Sequence, residues 1–122
     1  LQDRVFLPGF RSDVLNYVCD FDIFIMPSVR NEDMPNAINE AMLLGKPIIG
    51  TKISGIPEQV DDGVNGYLVV PGDSKDLASK ISKLITLKHE KLSEMGQQSK
   101  EKYMSSFSYK LSMDQYLDLY EI

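Results

Sequence analysis

Apolar residues along this chain follow two spacings: short unbroken runs and longer stretches with a helical repeat. The unbroken runs predict four short strands, at residues 4–7, 21–26, 47–50 and 66–70. In the second run only Asp22 interrupts the apolar residues, as expected for a strand that is covered on both faces. Strands therefore recur along the first 70 residues, with helical stretches between them.

The helical repeat predicts six helices, at about residues 13–18, 35–44, 56–60, 74–87, 89–105 and 107–120. Ser12 is the candidate N-cap of the first helix, and either Asp73 or Ser74 caps the fourth. Pro35 fits the first turn of the second helix, and Gly45 ends it. Strands that alternate with helices favour an α/β fold, a Rossmann-like parallel sheet of about four strands with flanking helices.

Composition and charge limit the number of domains, the classes of partner and the possible disulfides. Its 122 residues allow one domain, and 43% hydrophobic with 25% charged residues is usual for a globular domain. The net charge is −5 and no segment concentrates Lys and Arg, so nucleic acid is not an expected partner. Cys19 is the only cysteine, which excludes an intrachain disulfide, and its apolar neighbourhood predicts a buried thiol.

Two carboxylates eight positions apart form the strongest candidate site. Glu32 follows the strand predicted at 21–26, and Glu40 lies a turn into the next helix. Ligands of open α/β sheets bind in the crevice beyond the carboxyl ends of the strands. We therefore expect Glu32 and Glu40 to point into one crevice, Glu32 from the loop and Glu40 from the side.

The residues around this pair resemble the donor-binding motif of the group 1, or family four, retaining glycosyltransferases with the GT-B fold. The matching residues, in the family's order, are Pro27-Ser28, Glu32, Glu40-Ala41-Met42 and Gly45-Lys46-Pro47. Segments 5–10, 54–58 and 62–66 also follow the family's pattern. The resemblance runs from Val5 to Phe107 or beyond, which is nearly the whole chain.

The resemblance implies a role for each carboxylate. Glu32 would accept hydrogen bonds from hydroxyls of the transferred sugar and face its anomeric carbon, where a carboxylate favours positive charge. Glu40 would accept from both ribose hydroxyls of the nucleotide. The family holds the donor diphosphate with a basic pair, and no residue of this sequence matches that pair.

Backbone N–H groups at the start of the second helix form an expected anion site, because a helix N-terminus carries partial positive charge. The family commonly has Gly-Phe-Gly after the first Glu, where this chain has Asp33-Met34-Pro35. Pro35 has no N–H, which leaves Met34, Asn36 and Ala37 as the donors to a diphosphate.

Ser54 and Gly55 occupy a second loop at the end of a strand. The resemblance places this loop near the nucleotide base or the wall of the donor pocket, while a simple turn before the short helix remains an equal alternative. Gly55 permits a positive φ or the close approach of a ligand.

The sequence therefore predicts the donor-binding half of a retaining glycosyltransferase that moves a hexose-type sugar from a nucleotide diphosphate to a hydroxyl of a glycan or lipid-linked acceptor. Residues 1–122 would form a single partial nucleotide-sugar-binding domain, with the acceptor domain and the leading strands outside the sequence. We expect no metal or other cofactor, and a cytoplasmic or peripheral membrane location for the full-length protein.

Two alternatives remain at this point: a nucleotide-sugar epimerase of GT-B type, and a non-catalytic Rossmann-like module such as a receiver domain. The isolated chain is expected to be inactive, to bind donor weakly and to self-associate through its sheet edge and the aromatic residues at 107–120.

Overall fold

Three parallel strands form the sheet of this protein. The structure, a computed structural model, describes residues 2–30 and 32–120. The strands, in their order across the sheet, are β1 (Phe24–Met26), β2 (Ile48–Thr51) and β3 (Gly66–Val69). In the register of the sheet, Ile25 lies opposite Ile49, which lies opposite Tyr67. The predicted fold class, a Rossmann-like parallel sheet with flanking helices, is confirmed.

Six α-helices occur within residues 2–30 and 32–120, all near their predicted positions. They are α1 (Val14–Asp20), α2 (Asn36–Leu43), α3 (Ile56–Gln59), α4 (Ser74–Ile85), α5 (His89–Ser106) and α6 (Tyr109–Leu119). None of the helices in these two ranges is both long enough and apolar enough to cross a membrane.

The strand predicted at residues 4–7 is wrong. Gln2–Arg4 form a 3-10 turn, and residues 5–9 have no regular structure. Phe6 and Leu7 are 76% and 87% exposed. A strand needs a neighbour to take up its backbone N–H and C=O groups, and none of the three described strands pairs with this segment. The described sheet therefore has three strands rather than four.

The sheet separates two hydrophobic clusters. The cluster on the side of α1, α2 and α3 consists of Val18, Ile38, Ala41, Met42, Ile48, Ile56 and Val60. The cluster on the side of α4 and α5 consists of Ile49, Tyr67, Val69, Leu84 and Met95. Ile48 and Ile49 belong to opposite clusters because successive side chains of a strand point to opposite faces. Burial on both faces explains why the strands appear in the sequence as unbroken apolar runs.

Two helix caps differ in how well the sequence predicted them. The N-cap of α1 is Asp13 rather than Ser12, and its side chain accepts from Arg11 Nε at 2.9 Å instead of capping the helix. The Arg11 guanidinium beside Asp13 holds the pKa of that carboxyl below its ordinary value. For α4 the structure selects Asp73 over Ser74, since Asp73 Oδ1 accepts from two backbone N–H groups at 3.0 Å.

Cys19 is exposed, which corrects the expected buried thiol. It lies on α1, where Val18 is the buried residue. Consecutive helix residues are about 100° apart around the axis, so the residue after a buried one can face the solvent even in an apolar stretch.

Candidate functional site

The loops that follow β1 and β2 lie against each other at the carboxyl edge of the sheet. The Gly55 N–H donates to the Asp33 carbonyl at 2.7 Å. Thr51 Oγ1 donates to the Ser28 carbonyl at 2.7 Å. These two hydrogen bonds hold Ser28 and Asp33, on either side of Glu32, against the end of β2 and the loop after it.

Glu32 is half-buried in this loop and has a fixed neighbour. Ser28 Oγ donates to Glu32 Oε1 at 2.6 Å, a distance typical of a hydroxyl that donates to an ionised carboxylate. An ionised carboxylate offers about four lone-pair sites, so one hydrogen bond leaves capacity for the hydroxyls of a ligand. The hydrogen bond from Ser28 therefore orients the carboxylate and leaves it able to accept hydrogen bonds from a ligand.

Glu40 lies on the exposed face of α2. The buried face of the same helix carries Ile38, Ala41 and Met42, which pack onto the sheet. The Glu40 side chain is therefore accessible to solvent. That Glu32 and Glu40 point into one crevice remains a prediction.

The N-terminus of α2 suits an anion. Pro35 is the N-cap, and in the part of the chain that the structure describes no side chain caps this helix. The Pro35 carbonyl accepts from the Ile38 N–H at 3.1 Å, which leaves the N–H groups of Asn36 and Ala37 among the orphan donors of the first turn. Asn36 is exposed and Ala37 is half-buried. Donors of this kind, together with the helix dipole, favour a negatively charged group.

The loop with Ser54 and Gly55 combines strain with close contact. The positive φ lies at Ser54, at 47°, while Gly55 has φ −81°. Gly55 is instead required by close approach, because a Cβ there would lie 2.8 Å from the Asp33 oxygen and 3.0 Å from Met34 Cβ. The sequence allowed two reasons for a glycine at position 55, a positive φ or close approach by another group, and the structure shows close approach. The group that approaches Gly55 is the loop with Asp33 and Met34, directly after Glu32.

Sequence reasoning missed Gln59, which ties α3 to α2. Its side chain is fully buried, and Nε2 donates to the Pro35 carbonyl at 3.1 Å and to Asn39 Oδ1 at 2.8 Å. Gln59 follows Ile56 by three positions and precedes Val60, so helical spacing places it on the buried face of α3. That spacing was the signal that could have identified it. Its effect is to fix the start of the helix that carries Glu40.

An apolar pocket of about 150 Å³ lies at the same edge of the sheet, toward α4. Its lining comes from the ends of all three strands and includes Pro27, Thr51, Val69 and Leu77. None of the predicted site residues lines it. Separate segments form this pocket, so no local sequence pattern indicated it. Within residues 2–30 and 32–120 no group of three or more His, Cys, Asp or Glu side chains could hold a metal ion.

A family model described as "Glycosyl transferases group 1" matches residues 1–87. The chain belongs to this family. The predicted resemblance to group 1 glycosyltransferases is therefore confirmed, and the parallel sheet is the Rossmann-like unit of a GT-B fold. That the enzyme retains the anomeric configuration remains a prediction. Membership argues against the receiver-domain alternative.

Relatives of this group 1 glycosyltransferase chain include two curated enzymes. The chain is 36% identical over 91 residues to the amylovoran biosynthesis glycosyltransferase AmsK of Erwinia amylovora. This match covers 69% of the chain and 22% of AmsK. The chain is 32% identical over 121 residues to N-acetyl-alpha-D-glucosaminyl L-malate synthase of Bacillus anthracis, which covers 98% of the chain and 31% of that enzyme. The chain thus spans less than a third of the length of these two relatives.

The solved structure of Anabaena Alr3699/HepE in complex with UDP superposes with a TM-score of 0.93 at 30% identity. The match covers 99% of the chain and 33% of HepE. The same protein in complex with UDP-glucose gives a TM-score of 0.89. The fold of these 122 residues is therefore one found in a protein that was solved with a nucleotide sugar.

Proposed function

We propose that this chain supplies the donor site of a retaining glycosyltransferase. The enzyme would transfer a hexose-type sugar from a nucleotide diphosphate to a hydroxyl of a glycan or lipid-linked acceptor. The observation that carries the proposal is the position of Glu32: hydrogen bonds hold its loop against the next strand end, directly before the uncapped helix that carries Glu40. The HepE complexes with UDP and UDP-glucose support the same class of ligand.

Each part of the site has a task in this reaction. The bond between the anomeric carbon and the diphosphate oxygen breaks, and the nucleoside diphosphate leaves. The acceptor oxygen forms the new bond on the face of the sugar from which the diphosphate departs, and the proton of the acceptor hydroxyl passes to the departing diphosphate. Glu32 accepts from sugar hydroxyls and stabilises the positive charge that develops at the anomeric carbon. Glu40 accepts from the ribose diol, as acidic residues do in dinucleotide-binding folds. The first turn of α2, with Asn36 and Ala37, faces the diphosphate.

The remaining parts of the enzyme would come from outside these 122 residues. They are the acceptor site, any general base and the basic pair that holds the diphosphate. The full-length protein would act in the cytoplasm or at the membrane surface. In isolation the chain would self-associate through its sheet edge and the exposed aromatic residues in and directly after α6. Of these, Tyr109, Tyr116 and Tyr120 are 77%, 61% and 68% exposed.

The test is a donor-transfer assay on the full-length protein with two substitutions. Glu40→Ala should raise the KM for the donor about tenfold with little change in kcat, since it removes a contact to the part of the donor that does not react. Glu32→Ala should lower kcat by about a hundredfold or more, since it removes stabilisation of the transition state. Glu90→Ala is the matched control, because Glu90 is an exposed acid on α5, outside the segments that match the family's pattern.

Two outcomes would contradict the proposal. The assignment of the site fails if both variants transfer sugar as well as the wild-type protein does. The retaining mechanism fails if the anomeric configuration of the product, read by NMR, is inverted. Release of an epimerised sugar without any acceptor would instead support the epimerase alternative.

A further inference from the structure

We propose that Ser28 is a positioning residue for Glu32, and that Thr51 fixes Ser28 in turn. The inference rests on the proposed function, which assigns the chemistry to Glu32 but needs no role for Ser28 or Thr51. It concerns how a carboxylate on a loop is held in one orientation.

The first observation is the contact between Ser28 and Glu32. Ser28 Oγ donates to Glu32 Oε1 at 2.6 Å, and both residues are half-buried. A glutamate on a loop can adopt several rotamers, and holding it in one costs conformational entropy. A hydroxyl that donates to one carboxylate oxygen selects the rotamers in which that contact exists. The carboxylate is then oriented before the sugar arrives.

The second observation is that Ser28 is held by the sheet. Thr51 Oγ1 donates to the Ser28 carbonyl at 2.7 Å. Thr51 is the last residue of β2, the central strand, and is only 2% exposed. The hydrogen bonds therefore run from the buried end of β2 through Ser28 to Glu32. A functional side chain on a loop acts with precision only when rigid elements support it in this way.

A second tether lies on the other side of Glu32. The Asp33 carbonyl accepts from the Gly55 N–H at 2.7 Å, and Gly55 belongs to the loop after β2. Glu32 thus lies between two residues that are hydrogen-bonded to the neighbouring strand and loop. Ser28 accepts from Thr51 of β2, and Asp33 accepts from Gly55 of the loop after β2. The Ser28 hydroxyl is the member of this arrangement that bonds to the carboxylate itself. Its removal should change the orientation of Glu32 more than the path of the loop.

The test uses the full-length protein and compares Ser28→Ala with Ser28→Thr. Ser28→Ala should lower kcat about tenfold, because a misplaced catalytic group loses rate rapidly, while the donor KM stays within about twofold. Ser28→Thr keeps the hydroxyl and should recover most of the rate. Ser79→Ala, an exposed serine on α4, is the control and should leave kcat unchanged.

A double-mutant cycle separates positioning from a merely structural role. If Ser28 acts through Glu32, then Ser28→Ala should cause no further loss of kcat in a Glu32→Gln background. Thr51→Val removes the buried hydroxyl and should lower kcat in the same direction, whereas Thr51→Ser keeps the hydroxyl and should not. Melting temperatures of all variants show whether each has folded.

The possible failures are distinguishable. The positioning role is overturned if Ser28→Ala keeps wild-type kcat, or if its loss adds fully to that of Glu32→Gln. If the wild-type protein transfers no sugar from any nucleotide sugar, the proposed function fails instead. Crystal structures of wild-type and Ser28→Ala protein then decide the inference alone: Glu32 should have one rotamer in the first and several in the second, and one shared rotamer would refute it.

Discussion

At the scale of single residues, two glycines show how closely backbone segments approach in this fold. Gly96 lies in α5, and a Cβ there would overlap the carbonyl oxygen of Gly45, which follows the C-cap of α2 and has a φ of 70°. The same Cβ would also lie 3.4 Å from Pro47 Cδ. The missing side chain therefore allows α5 to cross the last turn of α2.

Gly96→Ala should destabilise the chain although alanine is the better helix former. Alanine in place of glycine stabilises a helix interior by roughly 0.5–1 kcal/mol. Overpacking against a backbone oxygen that cannot rotate away costs about 1–3 kcal/mol, so the clash should prevail. Urea denaturation of the 122-residue chain measures the difference. Ser93→Ala, an exposed position on the same helix, should stay within about 0.5 kcal/mol of wild type. A Gly96→Ala chain as stable as wild type would show that α5 can shift at no cost.

The sequence singles out candidate site residues but not their contacts. Glu32 and Glu40 stand out because a motif has a fixed spacing, and their roles remain predictions. The Ser28 hydroxyl and Thr51 do not stand out, since their contact depends on how two loops fold back on each other. The same limit explains why the positive φ lies at Ser54 rather than at Gly55. Loop conformation follows from tertiary contacts that local spacing does not encode.

At the scale of elements, helices were predicted more reliably than strands. A helix satisfies its own backbone hydrogen bonds, so its apolar repeat is a local signal, as in α4 and α5. A strand depends on a partner strand. Residues 4–7 have the composition of a strand, yet no described strand pairs with them. Their apolar side chains are consequently exposed.

The contact between α3 and α2 gives a prediction at this scale. Gln59 donates to two acceptors on or next to α2, the Pro35 carbonyl and Asn39 Oδ1. Gln59→Glu keeps the shape but replaces both donated hydrogens with a buried charge that faces acceptors. It should destabilise the chain by roughly 3 kcal/mol in urea denaturation at pH 7. Gln115→Glu, at an exposed position of α6, is the control with an expected change under about 0.5 kcal/mol.

The pH dependence of Gln59→Glu provides a second measurement. Burial would raise the pKa of the new carboxyl in the folded state above its value of about 4.3 in the unfolded chain. The unfolded state then binds fewer protons between these two pKa values. The penalty should therefore be full above the raised pKa and shrink as the pH falls toward about 4. A penalty that is independent of pH, or absent at pH 7, would show that Gln59 does not hold α2.

At the scale of the whole molecule, the sequence predicted the architecture but not which groups contact the exposed apolar and aromatic residues. The parallel α/β fold followed from the alternation of strands and helices. Nothing local indicates the environment of α6, whose tyrosines are exposed, or of the apolar residues near the N-terminus, where Phe10 is 95% exposed. The predicted self-association addresses these surfaces and remains a prediction.

The charge of the whole chain gives the last prediction, which is weak donor binding by the 122 residues alone. The net charge is −5, and the candidate site itself carries Glu32, Asp33 and Glu40. A diphosphate brings further negative charge. The N-terminus of α2 offers about 0.3–1 kcal/mol to an anion, whereas each charge-assisted bond from a basic side chain would contribute about 1.5–3 kcal/mol. Without such a pair, we expect a Kd of about 1 mM or weaker, which corresponds to roughly −4 kcal/mol.

Titration calorimetry of the chain with a set of common nucleotide sugars measures this affinity. Glu40→Ala should weaken the affinity further, because it loses the contact to the ribose. Glu90→Ala carries the same charge change at an exposed position of α5 and should bind as the wild-type chain does. Added salt should strengthen the binding modestly, because it screens the repulsion between the diphosphate and the negative charge of the chain. A micromolar Kd for the wild-type chain would contradict the prediction. It would mean that the uncapped start of α2 and its neighbouring loops bind the diphosphate without help from a basic pair elsewhere in the protein.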